Sequence, residues 1–389
     1  MTRGLQLYAS PRRGVVRLAG WGLGRGAGGA RLVGPAVGRV APLRYVDGDD
    51  PVPPDAGWVR VRPSLSGIGG ADLALVTGRA SAYLAAAVPL PFVPGREVVG
   101  RVQEAVVGAA GGSLPAGARV VVDTASGVGV VGMAGGGWSR VMVAPREAVR
   151  AVPDGVGDER AVLVDALARA VWAVRRAQVA PGARVLVVGA GLVGLCTVLA
   201  VRALTQAGTV AVVTRHPARV RLAAGFGASV VFDPAGAVAG VRRVARAVRV
   251  SARAGESFLL GGVDVAFDAA GDARALGLAL RTTRAGGRVV VSGVPSGRVD
   301  LSPLWARGLE LVGAVRGAGG AGAEGVGVGG VGVDGEQVWS AVWGLAADER
   351  LDGLVAAAYP LTCWRAAVEH ALGAGPLGVV RVAFDPTAT

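Results

Sequence analysis

Short apolar runs, broken by glycine and proline, fill the chain from Leu43 to about Arg150. They are rich in valine and include WVRVRP, REVVGRVQ, ARVVVD and WSRVMV. Runs of this length and composition, bounded by turn residues, are typical of the strands of a β-rich domain. Residues 10–40 are rich in glycine and arginine and have no clean period, so we expect extended or irregular chain there.

The pattern changes after residue 157. Residues 158–178 have helical spacing, with Asp158 as the expected cap. The stretch ARVLVVGAGLVGLCTVLAVRALTQAGTVAVVT predicts a buried strand, a glycine turn, a long apolar helix and a second buried strand. ASVVFD, GVDVAFDAAG and GRVVVSGVP are further strands, separated by helical stretches. Continuous apolar strands that alternate with helices predict an α/β fold with a doubly wound parallel sheet.

The last part of the chain mixes helical stretches with a final strand, VVRVAF, which we expect to rejoin the first domain. Before it, residues 317–335 are almost pure Gly, Ala and Val and predict a flexible loop. The predicted organisation is a β-rich domain (1–157), an α/β domain (158–305) and a return segment (306–389) that completes the edge of the α/β domain and rejoins the β-rich domain.

Composition narrows the class of protein. All 41 basic residues are arginine, lysine and asparagine are absent, and Ile68 is the only isoleucine. A GC-rich genome explains this bias, so the net charge of +13 is weak support for nucleic-acid binding. No apolar run has membrane-spanning length, and we expect a soluble, cytoplasmic protein without nucleic-acid or membrane partners. The two cysteines, Cys196 and Cys363, exclude a disulfide scaffold and are expected in the core.

The most informative motif is a glycine turn between the first buried strand and the long helix. Gly189 permits the tight turn, Gly191 lets a pyrophosphate approach the backbone, and Gly194 allows close packing of helix and strand. The helix that begins near Leu192 and Val193 offers free N–H groups to phosphates. The strand–turn–helix context predicts a dinucleotide site.

The end of the second buried strand indicates which dinucleotide binds. NAD-type sites place an acidic residue there to hold the ribose 2′-hydroxyl, whereas this chain has Thr214 and Arg215, with Arg219 close behind. A hydroxyl and guanidinium groups suit a 2′-phosphate. We therefore expect NADP rather than NAD, with Gly271, after a later strand, as a further cofactor contact.

Taken together, the chain resembles the medium-chain dehydrogenase/reductase superfamily, in its zinc-type alcohol dehydrogenase branch. The resemblance implies a GroES-like β-barrel catalytic domain beside a Rossmann domain, an active site in the cleft between them, and a homodimer formed through the Rossmann domain. Its markers are GIGGADLALVTG (67–78), PFVPGREVVG (91–100), GGGWSRVMVAP (135–145), LVDALARAVWAV (163–174) and VLVVGAGLVGL (185–195).

The chain departs from that family at the positions that hold zinc. The resemblance places the first ligand, a cysteine, at Gly69, and the hydroxyl of the proton relay at Ala71. The second ligand, a histidine, falls at Arg96. The third, often a glutamate, falls at Asp165, with Trp172 where histidine is common.

Few zinc ligands therefore remain. Only the carboxylates Glu97, Asp165 and Asp72 are left, and an arginine such as Arg96 has no lone pair to offer a metal. The lobe of four cysteines that holds a structural zinc is also missing between 122 and 135. We therefore expect no zinc, with Arg96 replacing the charge of the metal.

Hydride transfer without zinc leaves three options for the acceptor. Arg96 can act as the electrophile, Tyr83 can donate a proton, or the acceptor can be an already polarised iminium or enone. Glu97 and Asp165 complete the set of candidate catalytic residues together with Asp72. For Tyr83 an ordinary cleft or core position remains open, and for Asp72 a helix-capping role.

Three hypotheses about activity follow. The first is a zinc-independent, NADPH-dependent reductase of a small carbonyl, iminium or activated alkene. The second is a catalytically silent dinucleotide-binding pseudoenzyme or partner protein, which the loss of the residues at Gly69 and Ala71 favours. The third is a dehydrogenase whose zinc is held by carboxylates and water.

Overall fold

The computed structural model describes most of the chain. The described residues are 2–7, 43–81, 88, 90–108, 111–124, 135–251, 256–294, 296–314 and 335–388. The irregular chain predicted for 10–40, the candidate Tyr83 and all but the last residue of the loop predicted for 317–335 lie outside them. Gly335 itself begins a helix rather than ending a loop. Within these ranges, no helix is both long and apolar enough to cross a membrane.

Nineteen strands and ten α-helices lie in the described residues. The strands are β1 (Thr2–Leu7), β2 (Leu43–Gly48), β3 (Trp58–Gly67), β4 (Glu97–Val102), β5 (Val106–Val107), β6 (Ser113–Leu114), β7 (Arg119–Val122), β8 (Met142–Pro145), β9 (Val149–Ala151), β10 (Val185–Val188), β11 (Val210–Val213), β12 (Val230–Phe232), β13 (Val248–Val250), β14 (Phe258–Leu260), β15 (Val263–Asp268), β16 (Thr283–Val291), β17 (Glu310–Gly313), β18 (Val355–Pro360) and β19 (Arg381–Asp385). The helices are α1 (Gly70–Val76), α2 (Asp158–Ala161), α3 (Val164–Ala177), α4 (Leu192–Leu204), α5 (Val220–Gly225), α6 (Ala237–Ala245), α7 (Ala273–Thr282), α8 (Ser302–Arg307), α9 (Gly335–Ala346) and α10 (Trp364–Gly373).

The predicted parallel sheet is confirmed. Its six strands are all parallel and lie in the order β12-β11-β10-β15-β16-β17. Numbered along the chain, this is the order 3-2-1-4-5-6 of a Rossmann fold, whose ligand crevice lies where the order reverses. The crevice therefore opens at the carboxyl ends of β10 and β15.

Helices cover both faces of this sheet, which explains why its strands β10 (VLVV) and β11 (VAVV) are apolar throughout. Val185 and Val187 of β10 pack in a cluster with α3, α4 and α9. Leu186 and Val188 point to the opposite face and pack with α6 and α7. Successive residues of a strand alternate between faces, so apolar residues occupy every position of β10, which is buried on both faces.

The second large sheet belongs to the β-rich part of the chain. Its order is β18-β19-β3-β4-β7-β9, with β8 also paired to β3. β19 pairs with β3 in antiparallel register, Ala383 opposite Gly67. The final strand thus joins the sheet formed by the first part of the chain. The exact domain boundaries, 1–157, 158–305 and 306–389, stay a prediction.

The segment that links the two sheets differs from the single helix predicted for 158–178. It forms two helices, α2 and α3, and the N-cap is Gly157 rather than Asp158. The carboxylate of Asp158 instead accepts hydrogen bonds from Ser64 of β3 and Arg119 of β7. Because the carboxylate is bonded to these two residues, it does not cap the free N–H groups at the start of α2.

The prediction that both cysteines are core residues is right for Cys196 and wrong for Cys363. Cys196 is fully buried in α4, whereas Cys363 is exposed. Cys363 ends a short 3-10 turn in which Leu361 and the following Trp364 take the buried positions. A single turn can direct only some of its side chains to the core.

Candidate functional site

The glycine turn lies at the crevice of the parallel sheet. Gly189 follows β10 with a φ of +111°, a conformation that favours glycine. A Cβ on Gly194 would lie 2.9 Å from the Gly189 carbonyl carbon and closer still to its oxygen. At Gly191 a Cβ would meet only the Arg219 guanidinium, at 3.8 Å. The turn is therefore tightly packed at Gly194 and open at Gly191. Leu192 and Val193, directly after Gly191, begin α4.

The loop after β11 separates the two predicted arginines. Thr214 is buried, and its hydroxyl accepts a hydrogen bond from the His216 N–H at 3.2 Å. The Arg215 side chain is exposed beside this loop. Arg219 turns inward and donates to the carbonyl oxygens of Ala190 (3.2 Å) and Val379 (2.6 Å). Arg219 thus lies over the glycine turn, while Arg215 remains at its rim.

Positive charge gathers in front of the glycine turn. Burial lowers the pKa of Arg219, and the nearby charges of Arg381 and Arg215 lower it further. The Nε atom of Arg219 is buried without a hydrogen-bond partner. A set of guanidinium groups beside the N-terminus of α4, which is itself positive, is the environment that phosphate groups seek.

Asp268 ends β15 on the other side of the crevice. One of its oxygens accepts hydrogen bonds from the backbone N–H groups of Ala270 (3.1 Å) and Gly271 (3.0 Å). Burial raises the pKa of Asp268 to about 6 in spite of these bonds. Gly271 has a φ of +76°, and a Cβ there would overlap the backbone of Val294. Asp268 therefore shapes the loop that carries the predicted cofactor contact Gly271.

Across the cleft, Gly69 faces two buried carboxylates. A Cβ on Gly69 would lie 2.8 Å from Asp72 Oδ2 and 3.3 Å from Glu97 Oε1. The side chain of any other residue at this position would thus point directly at both groups. The structure therefore brings Asp72 and Glu97 together at the position where the resemblance places the first zinc ligand.

The carboxylate of Asp72 accepts hydrogen bonds from the backbone. It is fully buried in α1 and accepts hydrogen bonds from the N–H groups of Gly69 (3.2 Å) and Gly95 (3.3 Å). Gly69 is the N-cap of α1, so Asp72 satisfies a free N–H group at the start of its own helix. Burial raises the pKa of Asp72. This geometry favours the capping role left open for Asp72.

Glu97 forms an ion pair with Arg381. Its Oε1 lies 2.7 Å from an amino group of Arg381, and both side chains are buried. Arg381 also donates to the carbonyl oxygen of Ile68 at 2.7 Å. Burial raises the pKa of Glu97, and the positive charge of Arg381 opposes this shift. Arg381 lies in β19, which the β19–β3 pairing brings beside Glu97.

Asp165, Arg169 and Trp172 share one face of α3, by their spacing of four and three residues. Asp165 Oδ2 lies 2.9 Å from Arg169 Nε, and its other oxygen accepts a hydrogen bond from Thr124. The indole N–H of Trp172 is buried without a hydrogen-bond partner. The candidate Asp165 is therefore already neutralised by a guanidinium on its own helix.

Arg96 lies among these groups but is bonded to none of them. Its Nε is buried without a hydrogen-bond partner. Burial lowers the pKa of Arg96 most, and the charge of Arg169 lowers it further, whereas Asp165, Asp72 and Glu97 oppose the shift. The cleft thus contains three carboxylates and three guanidinium groups.

This set of donors does not fit zinc. Zinc prefers about four nitrogen, sulfur or oxygen ligands in a tetrahedron. Within the described part of the chain, no three His, Cys, Asp or Glu side chains come together as a metal site. Asp72, Glu97 and Asp165 are instead bound to backbone N–H groups or guanidinium groups. The predicted absence of zinc itself stays a prediction.

Three residues of this arrangement were missed by the sequence analysis. Arg169 had a local signal, because an arginine four residues after an acid on a helix predicts an ion pair. Asp268 had one as well, as an acid at the carboxyl end of a parallel strand. Arg381 had none, since only the pairing of β19 with β3 brings it to Glu97.

Two family models match the chain and together cover most of it. A model of the alcohol dehydrogenase GroES-like domain matches residues 55–154, and a model of zinc-binding dehydrogenases matches residues 193–324. Both descriptions agree with the two sheets and the cleft between them.

The chain belongs to the zinc-type alcohol dehydrogenase branch of the medium-chain dehydrogenase/reductase superfamily.

Individual relatives agree with this assignment. L-idonate 5-dehydrogenase of Vitis vinifera is 28% identical over 280 residues, which are 66% of this chain and 73% of that protein. A probable zinc-binding alcohol dehydrogenase of Mycobacterium tuberculosis is 30% identical over 280 residues, 66% of this chain and 65% of that protein.

Solved structures share the fold of this chain. An alcohol dehydrogenase from Thermotoga maritima has a TM-score of 0.70 at 19% identity, and a putative zinc-binding dehydrogenase from Sinorhizobium meliloti, bound to NADP, has 0.67 at 23%. Both alignments cover 99% of each chain. These structures show the Rossmann and GroES-like folds predicted from the sequence. The dehydrogenase relatives and the two family models identify the protein as an NAD(P)-dependent oxidoreductase.

Proposed function

We propose that this protein is a zinc-independent, NADPH-dependent reductase that transfers hydride to a small carbonyl compound, an iminium or an activated alkene. The proposal rests on the bonding partners of the three carboxylates in the cleft. Asp72 binds backbone N–H groups, Glu97 pairs with Arg381, and Asp165 pairs with Arg169. Each of the three is thus already bonded within the protein, and Arg96 supplies a positive charge in the cleft.

A bound nicotinamide would supply the hydride, and the protein would supply the positive charge that stabilises the product oxygen. Hydride addition to a carbonyl leaves negative charge on the oxygen, which a nearby cation stabilises. Arg96 is the candidate for this role, because its side chain is partly exposed and its buried Nε has no hydrogen-bond partner among the described residues. Glu97 and Asp72 hold the surrounding backbone and Arg381 in place. An already polarised acceptor needs less help from Arg96, and Tyr83 remains a candidate proton donor.

The loop after β11 supports NADPH as the cofactor. No acid stands at the end of that strand, and the exposed Arg215 lies where a ribose 2′-phosphate would need a partner. Arg219, which lies over the glycine turn, is placed for the pyrophosphate instead. We therefore assign the predicted 2′-phosphate contact to Arg215 and Thr214, and a pyrophosphate contact to Arg219.

Exchange of Arg215 for glutamine tests the cofactor assignment. We expect Arg215→Gln to weaken NADPH binding by about tenfold or more, because a charge-assisted contact to phosphate is lost, and to leave NADH binding unchanged. Fluorescence titration of both cofactors measures the effect. Arg221→Gln, an exposed arginine of α5, is the matched control. Equal losses for NADPH and NADH would show that Arg215 does not select the 2′-phosphate.

Metal analysis tests the zinc assignment. The purified protein is expected to contain far less than one zinc per chain, because the remaining side chains cannot build a tetrahedral site. Turnover is expected to survive a chelator such as EDTA. One zinc per chain, lost together with activity on chelation, would support instead a dehydrogenase whose zinc is held by carboxylates and water.

A screen of carbonyl, iminium and enone acceptors separates a reductase from the pseudoenzyme alternative. The absence of a cysteine at Gly69 and of a hydroxyl at Ala71 favours the silent form. Tight NADPH binding without turnover of any acceptor would establish it.

Homodimerisation through the Rossmann domain remains part of the proposal. β17 forms an edge of the parallel sheet, with Leu311 partly exposed, and Trp305 of the preceding α8 is 87% exposed. An open edge strand with apolar side chains suits pairing with a second copy.

A further inference from the structure

We propose that His216 positions Arg215 for the 2′-phosphate of NADPH, and that a turn formed by residues 375–378 holds the imidazole in place. The inference rests on the proposed function, because it states how the predicted 2′-phosphate contact is held. His216 is a positioning residue, which acts on the cofactor through Arg215. Residues 375–378 (GPLG) lie between α10 and β19 and are called the C-terminal turn below.

The first observation is a hydrogen bond between the two neighbouring side chains. The Nε of Arg215 donates to Nε2 of His216 at 3.3 Å. A guanidinium can only donate, so Nε2 carries no proton and is the acceptor. Burial lowers the pKa of His216, and the positive charges of Arg219 and Arg215 lower it further. The imidazole is therefore neutral at pH 7 and keeps a lone pair for Arg215.

This hydrogen bond restrains a side chain that is otherwise free to move. Arg215 is exposed at the rim of the crevice, and a long exposed side chain loses conformational entropy when it is ordered. A fixed acceptor removes part of that freedom before the cofactor binds and so lowers the cost of binding. The backbone of His216 is itself held, since its N–H donates to the hydroxyl of the buried Thr214 at 3.2 Å.

The second observation is the contact between the imidazole and the C-terminal turn. A Cβ on Gly375 would lie 2.4 Å from Nε2 and 2.6 Å from Cε1 of His216. The ring therefore lies directly against the backbone at Gly375. The ring atom nearest to that Cβ is Nε2, which is also the atom that accepts from Arg215. A side chain at position 375 would displace this atom.

The C-terminal turn is fixed by hydrogen bonds at both ends. The N–H of Gly378 donates to the carbonyl oxygen of Gly375 at 3.1 Å, which closes the turn. Directly after it, the carbonyl oxygen of Val379 accepts from Arg219 at 2.6 Å. Arg219 and Val379 are 160 positions apart in the chain. A distant segment thus supports the loop after β11 from outside the parallel sheet.

Exchange of Gly375 for alanine tests the inference. The φ of Gly375 is not positive, so alanine can adopt its backbone conformation. We expect Gly375→Ala to weaken NADPH binding by about threefold to tenfold, the value of one hydrogen bond, and to leave NADH binding unchanged. Gly373→Ala is the matched control, because a Cβ at 373 would meet no described atom within 4 Å. Fluorescence titration measures both cofactors. Equal losses for NADPH and NADH, or wild-type affinity for both, would overturn the inference.

Exchanges of His216 keep the test valid even if Gly375→Ala does not fold. His216→Ala removes the acceptor and is expected to show the same NADPH-selective loss. His216→Gln keeps an acceptor in its amide oxygen and is expected to bind NADPH more tightly than His216→Ala. Adding Gly375→Ala to His216→Ala is expected to cause no further loss, because Gly375 acts through the imidazole. Additive losses would contradict this role of the C-terminal turn.

The imidazole also gives a readout that needs no cofactor. The chain has two histidines, so the NMR signal that disappears in His216→Ala belongs to His216. At neutral pH, its nitrogen-15 shifts are expected to show the tautomer with the proton on Nδ1 and a free Nε2. A proton on Nε2 would exclude the hydrogen bond from Arg215 and overturn the inference.

Arg215→Gln, measured beside these variants, separates a failure of the inference from a failure of the proposed function. A NADPH-selective loss in Arg215→Gln without one in His216→Ala overturns the positioning role and leaves the cofactor assignment intact. Equal losses for both cofactors in Arg215→Gln overturn the cofactor assignment, and the positioning role fails with it. NADPH-selective losses in Arg215→Gln, His216→Ala and Gly375→Ala support both.

Discussion

Gly194→Ala is expected to abolish NADPH binding. A Cβ at this position would lie 2.9 Å from the carbonyl carbon of Gly189 and closer still to its oxygen, and both atoms belong to the backbone. No side-chain rotation relieves such a contact, so β10 and α4 must move apart. This movement would also displace Gly191, because Gly191 belongs to the same turn. The open space at Gly191 would then be lost.

The expected result is a loss of NADPH affinity of at least about a hundredfold, together with a lower melting temperature, since overpacking a close contact costs roughly 1–3 kcal/mol or more. Fluorescence titration and thermal unfolding measure the two effects. Gly344→Ala is the matched control, because a Cβ on this exposed glycine of α9 would meet no described atom within 4 Å. There alanine is expected to stabilise the helix by about 0.5–1 kcal/mol. Wild-type NADPH affinity in Gly194→Ala would contradict the dinucleotide site.

Loss of the ion pair between Glu97 and Arg381 is expected to have the second large effect. Arg381→Met leaves the Glu97 carboxylate buried without its cation and without the 2.7 Å contact. Removal of one partner from a buried pair costs about 3–5 kcal/mol. Urea unfolding of Arg381→Met at pH 8 is expected to show a loss of this size in the free energy of unfolding.

The loss is expected to depend on pH. Burial raises the pKa of Glu97 in the folded state above its ordinary value, and removal of Arg381 raises it further, because the arginine opposes the shift. A carboxyl group with a raised folded pKa holds its proton more tightly in the folded state. The free energy of unfolding therefore falls as pH rises from the ordinary pKa through the folded pKa. The deficit of Arg381→Met is expected to be smaller at pH 5 than at pH 8.

A double variant distinguishes the effect of the buried charge on stability from the effect of lost side-chain packing. In Glu97→Gln the arginine loses its partner, and in Glu97→Gln/Arg381→Met no buried charge remains. We expect the double variant to be more stable at pH 8 than Arg381→Met alone, with little dependence on pH between 5 and 8 from this position. A pH-independent deficit that persists in the double variant would show that Arg381 acts through packing.

The sequence by itself determined the Rossmann part of this protein in some detail. The strands around Val187 and Val212 are apolar without interruption, and the glycines at 189, 191 and 194 can be recognised because their roles are local. A turn, a helix start and a strand depend on residues within a few positions of one another. For the same reason the pairing of Arg169 with Asp165 follows from their helical spacing alone.

Only the tertiary structure decided which partners the cleft carboxylates have. Arg381 reaches Glu97 across 284 positions of the chain, through the pairing of β19 with β3. The capping role that the sequence left open for Asp72 is favoured because the N–H groups of Gly69 and Gly95 lie within hydrogen-bond distance of its carboxylate. Electrostatic and hydrogen-bond partners are set by distance in space, which residue spacing does not encode once the chain has crossed between two sheets.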